Sequence, residues 1–153
     1  MEITFSPYTQ NLGKHPDMII TECVVRPVNS DDAGMEVAAL WDTGADRSMI
    51  SKSLAESLRL TPCRRINSHS TNGVTRKPMY NIAIMLPNGA GLPKLSVVEG
   101  DFEGHDIIIG MDIITLHDFA LTHNKVGELI FSVVFPPINT HVDYSPLQGI
   151  TVK

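Results

Sequence analysis

The sequence predicts an all-β domain, a closed barrel or sandwich of short strands, on three observations. Apolar runs rich in β-branched residues recur at short, regular intervals, the pattern of strands rather than helices. Eleven Gly and ten Pro are spread among these runs in a chain of 153 residues, enough punctuation for many turns. Only residues 52–60 read as a helix longer than a single turn, which leaves an all-β barrel or closed sandwich with one or two short helices.

Residues 18–25 (MIITECVV) are the first expected strand, and the turn-forming stretch 29–34 leads to a second apolar run over 35–41 (MEVAALW). Over 52–60, Leu54 and Leu58 share one helical face, Ser53 and Glu56 fit a capping box, and Pro62 closes the helix. Residues 65–69 and 79–86 are expected strands joined by a polar, Gly-containing tip over 70–77. A turn over 87–91 leads into a strand at 95–99, and residues 107–109 form a continuous apolar strand ending in Gly110 and a helical turn. A last hairpin pairs 119–122 with 128–134, after which Pro136 and Pro137 end the pattern. The reading is one domain over 1–153, with its core at about 18–134, a loose N-terminal end and a C-terminal tail over 135–153.

The formal charge of −5 argues against nucleic acid as a partner, since such binders carry a basic face. Arg64 with Arg65 and Arg76 with Lys77 are basic pairs that read as a solvated strand face or loop. The first residues lack the basic start and apolar stretch of a secretion signal, and no run reaches the ~18 apolar residues of a membrane helix. Cys23 and Cys63 lack CxxC spacing and read as two buried thiols of a reducing compartment. A cytoplasmic protein without membrane partners is the expectation.

The sharpest local signal is Trp41-Asp42-Thr43-Gly44-Ala45 at the end of the second apolar run. A carboxylate at the end of a buried strand is costly unless donors hold it. Gly44 permits a turn that aims amide N–H groups at Asp42, and the Thr43 hydroxyl offers a further donor. Alone, the tripeptide reads equally well as an ordinary turn after a strand. A second signal, Ile107-Ile108-Ile109-Gly110 followed by Met111-Asp112-Ile113, changes that balance.

Together these elements resemble the retroviral-type, or retropepsin-like, aspartic peptidases. In that family an apolar strand enters D-T-G-[AS], a helix and a hairpin flap follow, and a second apolar strand ends in Gly before a short helix. Here the same order runs from Asp42 through the helix at 53–58 and the hairpin tip to Ile109 and Gly110, and the resemblance covers roughly residues 18–134. Met111 and Asp112 after the Gly look more like the cellular and bacterial members than the retroviral ones. Gly73 beside Val74 departs from the Gly-rich retroviral flap, and Trp41 is bulkier than the usual aliphatic residue before the Asp.

The resemblance implies a closed barrel of the acid-protease type and an aspartic endopeptidase that hydrolyses peptide or protein substrates without cofactor or metal. It implies Asp42 as the catalytic carboxylate, with Thr43, Gly44 and Ala45 supporting the loop and Ile109 and Gly110 supporting it from the second strand. Thr71, Asn72, Gly73 and Val74 would form the substrate-covering flap. Peptide hydrolysis of this kind needs two carboxylates sharing one proton, one to take a proton from water and one to protonate the carbonyl oxygen. The chain holds a single Asp-Thr-Gly, so the second carboxylate would come from a second copy across a twofold axis. Ala45 has no side-chain donor for the carboxylate, so the expected pH optimum is acidic to near neutral. The six His residues show no HExxH, no GxSxG is present, and Gly89-Ala90-Gly91 reads as a turn. The alternative reading keeps the fold and drops the chemistry, a dimeric peptide-binding or scaffold module.

Overall fold

A computed structural model describes residues 4–70 and 73–151. Ten strands and two short helices follow one another as β1 (Ser6–Gly13), β2 (Ile19–Pro27), β3 (Met35–Trp41), β4 (Met49–Ser51), α1 (Lys52–Ser57), β5 (Arg64–Ser70), β6 (Gly73–Met85), β7 (Gly91–Gly100), β8 (Ile107–Ile109), α2 (Met111–Ile114), β9 (Asp118–His123) and β10 (Leu129–Phe135). A 3-10 turn, Ser145–Leu147, lies in an exposed C-terminal tail.

The larger sheet runs β2-β3-β8-β4-β7-β6-β5, and an additional β2–β6 pairing joins the first and sixth strands of that order. That pairing, Val24↔Met85 to Pro27↔Ile82, closes six strands into a ring, so only the β5–β6 extension projects from the barrel. A closed ring leaves no unpaired backbone edge among its members. Inward positions are filled by Val25, Ala39, Ile50, Ile82, Val97, Ile107 and Ile109, each at most 1% exposed. β8 is buried at all three positions because β3 pairs with it in parallel and β4 in antiparallel sense, which is why its sequence is unbroken Ile rather than alternating.

A second sheet, β1-β10-β9, packs against the barrel through Phe131, which is fully buried and stacks at a tilt on Trp41 with ring centroids 5.0 Å apart. The stretch ahead of residue 18, read above as a loose end, supplies β1. Its alternating half-buried and exposed residues pair with a strand more than a hundred positions away, Ser6↔Phe135 to Gly13↔Leu129. Helix α1 is capped by Ser51 rather than Ser53: β4 ends directly at the helix, so the Ser51 hydroxyl accepts from Leu54 N–H at 3.2 Å. The hairpin strands extend to Ser70 and from Gly73, so Val74 to Lys77 belong to β6 and not to a long tip.

The Cys23 thiol is buried and pushed up to about 12, first by burial and then by Glu22 and Asp106. Cys63 is exposed, which corrects the expectation of two buried thiols. Among the described residues no helix is long and apolar enough to cross a membrane, and no cluster of His, Cys, Asp and Glu could hold a metal ion.

His117, between α2 and β9, lies edge-on to Phe135 with ring centroids 4.0 Å apart, and neither ring nitrogen has a hydrogen-bond partner among the described residues. Burial lowers its pKa, partly opposed by the neighbouring Asp118. The unfolded imidazole takes up a proton below about pH 6.5 while the folded one resists it, so this stabilisation is complete above that pH and is lost as pH falls. Wild type should therefore lose melting temperature on going from about pH 7 to about pH 5. The loss should be smaller in His117→Phe when both are followed by calorimetry.

Candidate active site

Asp42 stands one residue past β3, at the end shared with β8. Its N–H donates to the Ile109 carbonyl at 2.9 Å, so two buried apolar strands fix its backbone. The chain then turns sharply. Gly44 N–H donates to Asp42 Oδ1 at 2.8 Å, and Ala45 N–H donates to the Asp42 carbonyl at 3.2 Å. A side chain on Gly44 would begin 3.1 Å from that Oδ1, so glycine is what lets amide and carboxylate approach. Thr43 and Gly44 are exposed, while Asp42 and Ala45 are half-buried.

The loop is clamped from behind by residues 109–112. Met111 N–H donates to the Ala45 carbonyl at 2.8 Å. Gly110 N–H donates to Ser48 Oγ at 3.0 Å, and the Ser48 hydroxyl and N–H donate to Asp112 Oδ1 at 2.7 and 2.9 Å. Ser48 is fully buried, and its hydroxyl, donating once and accepting once, leaves no polar atom stranded. Gly110 is required by close approach: a Cβ there would lie 2.7 Å from the Arg47 carbonyl carbon and 2.8 Å from the Ala45 and Arg47 oxygens.

Asp42 and Thr43 open onto a groove of about 470 Å3 lined also by Asp17, Met18, Trp41, Leu121 and Leu129. Met18 and Leu121 are 49% and 42% exposed, an apolar rim beside a carboxylate. Asp17 lies on the exposed connection ahead of β2, outside any Asp-Thr-Gly turn.

The β5–β6 hairpin is pinned at its root, where Lys77 Nζ meets Asp101 Oδ2 at 3.1 Å and Tyr80 Oη donates to Glu99 at 2.7 Å. The tyrosine is pushed up to about 12, first by burial and then by Glu99. Gly73 has φ +115° and opens β6 opposite Ser70, and Val74 is 58% exposed. Thr71 and Asn72, the other flap residues expected from the sequence, lie outside the described residues. Among the described residues none of the hairpin lines the groove at Asp42.

The family model described as "gag-polyprotein putative aspartyl protease" matches residues 31–115, more than half of the chain and the whole path from β3 through the hairpin to α2. The chain belongs to this aspartyl protease family. Among solved structures, a retropepsin-like aspartic protease from Rickettsia conorii aligns with a TM-score of 0.57, at 14% identity, over 88% of this chain and 97% of its own. The fold is accordingly that of the retropepsin-like acid proteases. More distant matches are the protease of EIAV in complex with an inhibitor (TM-score 0.47, 19% identity, 65% of this chain and 86% of that one). The retroviral protease-like domain of Ddi1 from Leishmania major follows (TM-score 0.46, 20% identity, 74% and 93%). No curated protein sequence matches significantly.

Within the aspartyl protease fold, Asp42, Thr43, Gly44, Ala45, Ile109 and Gly110 come together at one end of the barrel, linked by the hydrogen bonds above. Sequence reasoning missed Ser48 and Asp112, which tie the Asp42 loop to the segment after β8. The available signal was an Asp in the first turn of the short helix after Gly110. It also missed the polar contacts behind Trp41, whose indole N–H donates to Thr21 Oγ1 at 3.1 Å.

Proposed function

We propose that this protein is a homodimeric aspartic endopeptidase in which Asp42 of two copies forms one catalytic pair. One observation carries the reading: the Asp42 carboxylate, held by Gly44 N–H at the end of two buried strands, opens onto a groove rimmed by exposed Met18 and Leu121. A second copy placed on that rim covers the apolar side chains and brings its own Asp42 to the first. Like charge prevents both carboxyls from ionising, so one proton is shared. The ionised carboxylate takes a proton from water as the water oxygen bonds to the peptide carbonyl carbon, and the protonated one gives its proton to the carbonyl oxygen. The proton taken from water then passes to the peptide nitrogen, the C–N bond breaks to release the amine, and a hydroxyl of the intermediate returns its proton to the other carboxylate.

Asp17 favours a second reading, since it lines the same groove within one chain. It is exposed, with no hydrogen bond or ion pair holding its carboxylate among the described residues, and preorganised catalysis needs held groups. The dimer reading is tested by dilution. Activity per chain should fall as protein is diluted through the dissociation range found by sedimentation, because a dimer-borne site exists only while the dimer does. Activity per chain that is independent of concentration, in a sample shown to be monomeric, contradicts it.

The exposed β5–β6 hairpin is the cover that closes over an extended peptide. At Gly73, φ of +115° is open to glycine but strained for other residues, while a Cβ there would meet nothing within 4 Å. Gly73→Ala thus alters backbone freedom without a clash. Turnover should fall severalfold while melting temperature moves by less than about 3 °C. Steady-state kinetics and a thermal melt on the same sample read both.

A further inference from the structure

We propose that Gln10, Thr21 and Trp41 are positioning residues for Asp42, joined in a hydrogen-bonded chain, half-buried at Gln10 and buried at Thr21 and Trp41, through which the N-terminal strand β1 fixes the carboxylate. This rests on the peptidase reading above. Trp41 precedes Asp42 directly, and the residue is 4% exposed, its ring against Phe131 and Phe119 at centroid distances of 5.0 and 6.1 Å. Its indole N–H donates to Thr21 Oγ1 at 3.1 Å. Thr21 is fully buried, and its hydroxyl donates to Gln10 Oε1 at 3.0 Å. Gln10 Nε2 donates to the Ile20 carbonyl at 3.0 Å, and Tyr8 Oη donates to Gln10 Oε1 at 3.2 Å.

The direction of the first bond in this chain is fixed by chemistry, and the others follow from its geometry. An indole N–H can only donate, so the Thr21 oxygen must accept from it and send its single proton onward. Gln10 must therefore present its carbonyl to Thr21, which leaves its amide to hold the β2 backbone at Ile20. In this arrangement every polar group of the three side chains is paired, and a satisfied, largely desolvated network favours one geometry. Gln10 belongs to the β1-β10-β9 sheet and Thr21 and Trp41 to the barrel, so the chain spans the two sheets and ends at the residue bonded to Asp42.

A paired carboxylate site depends on this. Two Asp42 groups share a proton only within hydrogen-bond reach, and a displacement of about 1 Å can cost a hundredfold in rate. Trp41 is rotationally and translationally fixed by the network on one side and the aromatic cluster on the other. Removing the hydroxyl of Thr21 leaves the indole N–H buried without an acceptor and frees Trp41 to re-seat, moving Asp42 with it.

The test uses the full chain. Thr21→Val keeps the shape and deletes the hydroxyl, and Thr21→Ser keeps the hydroxyl. We expect Thr21→Val to lower kcat by about tenfold or more with KM within about twofold, and Thr21→Ser to restore most of it. Trp41→Phe should lower kcat similarly, and the double variant Thr21→Val with Trp41→Phe should be no worse than the worse single, as for residues of one network. Trp41 is the only tryptophan, so its fluorescence emission reports the site directly and should shift in Thr21→Val and return in Thr21→Ser. If Thr21→Val does not fold, Gln10→Leu at the half-buried end of the chain carries the same kcat and emission test. A folded Thr21→Val or Gln10→Leu with wild-type kcat overturns the inference while leaving the peptidase reading intact. A wild-type chain with no Asp42-dependent hydrolysis overturns the peptidase reading and the inference with it.

Discussion

Asp42→Asn should abolish peptide hydrolysis, by about a thousandfold or more, while the dimer persists. The substitution keeps size and shape, and an amide oxygen can still accept the Gly44 N–H that now lies 2.8 Å from Oδ1. What it removes is ionisation, and with it both the base that takes a proton from water and the acid that returns one, a contribution of about 10²–10⁴-fold for a positioned acid–base group. The Asn dimer should also be at least as stable as wild type. Two carboxyls brought together at a closed interface carry repulsion and desolvation costs that neutral amides lack. Sedimentation of both proteins at several concentrations reads this directly. An Asn variant that keeps hydrolysing peptides removes Asp42 from the mechanism, and one that dissociates gives the carboxylates a structural role in assembly.

The second large effect is expected at Gly110 and Ser48, neither of which lines the groove. In Gly110→Ala the new Cβ meets backbone atoms of Ala45 and Arg47 at 2.7 to 2.8 Å, and backbone at that depth cannot rotate away. The loop must be pushed off β8, at a cost of about 3 kcal/mol. In Ser48→Ala the Gly110 N–H is left buried without its acceptor and Asp112 loses a donor, a loss of about 1–3 kcal/mol. Both variants should lose kcat by about a hundredfold when assayed well below their melting temperatures, because the displaced loop carries Asp42 with it. Urea denaturation and kinetics on the same samples separate the two consequences. A Gly110→Ala chain with undiminished stability and kcat would mean that the loop does not bear on Gly110 as described.

The parts of this site legible in the sequence are those whose signal is carried by consecutive residues. Trp41-Asp42-Thr43-Gly44 and Ile107 to Gly110 each announce a buried strand and its break, and the two strands do pair side by side. Their hydrogen-bonded join at Asp42 N–H and Ile109 follows from that pairing. Ser48 could not be found this way: a lone serine has no periodicity, and its value arises only because Gly110 and Asp112 lie over sixty positions downstream. β4 is three residues long and β1 alternates polar and half-buried positions (SPYTQNLG), so neither presents an apolar run. The partner of β1 is β10, at the far end of the chain. The helix cap moved from Ser53 to Ser51 because β4 runs into α1 without a loop, a tertiary constraint that local capping patterns do not contain. Cys63 was read as buried on composition, but it lies on the exposed approach to β5, where its thiol donates to the Met79 carbonyl at 3.3 Å.

Subunit mixing tests the shared pair most directly. Wild type is combined with an approximately ninefold excess of the Asp42→Asn chain, allowed to exchange subunits, and assayed against the same amount of wild type diluted with buffer. If each site needs one Asp42 from each copy, random pairing leaves about a tenth of the wild-type chains in active dimers, and activity should fall to about that fraction. Activity that simply tracks the wild-type chain added, after exchange has been verified with labelled subunits, would mean that each chain carries a complete site. Asp17 would then be the second carboxylate to examine, and the shared pair would be contradicted.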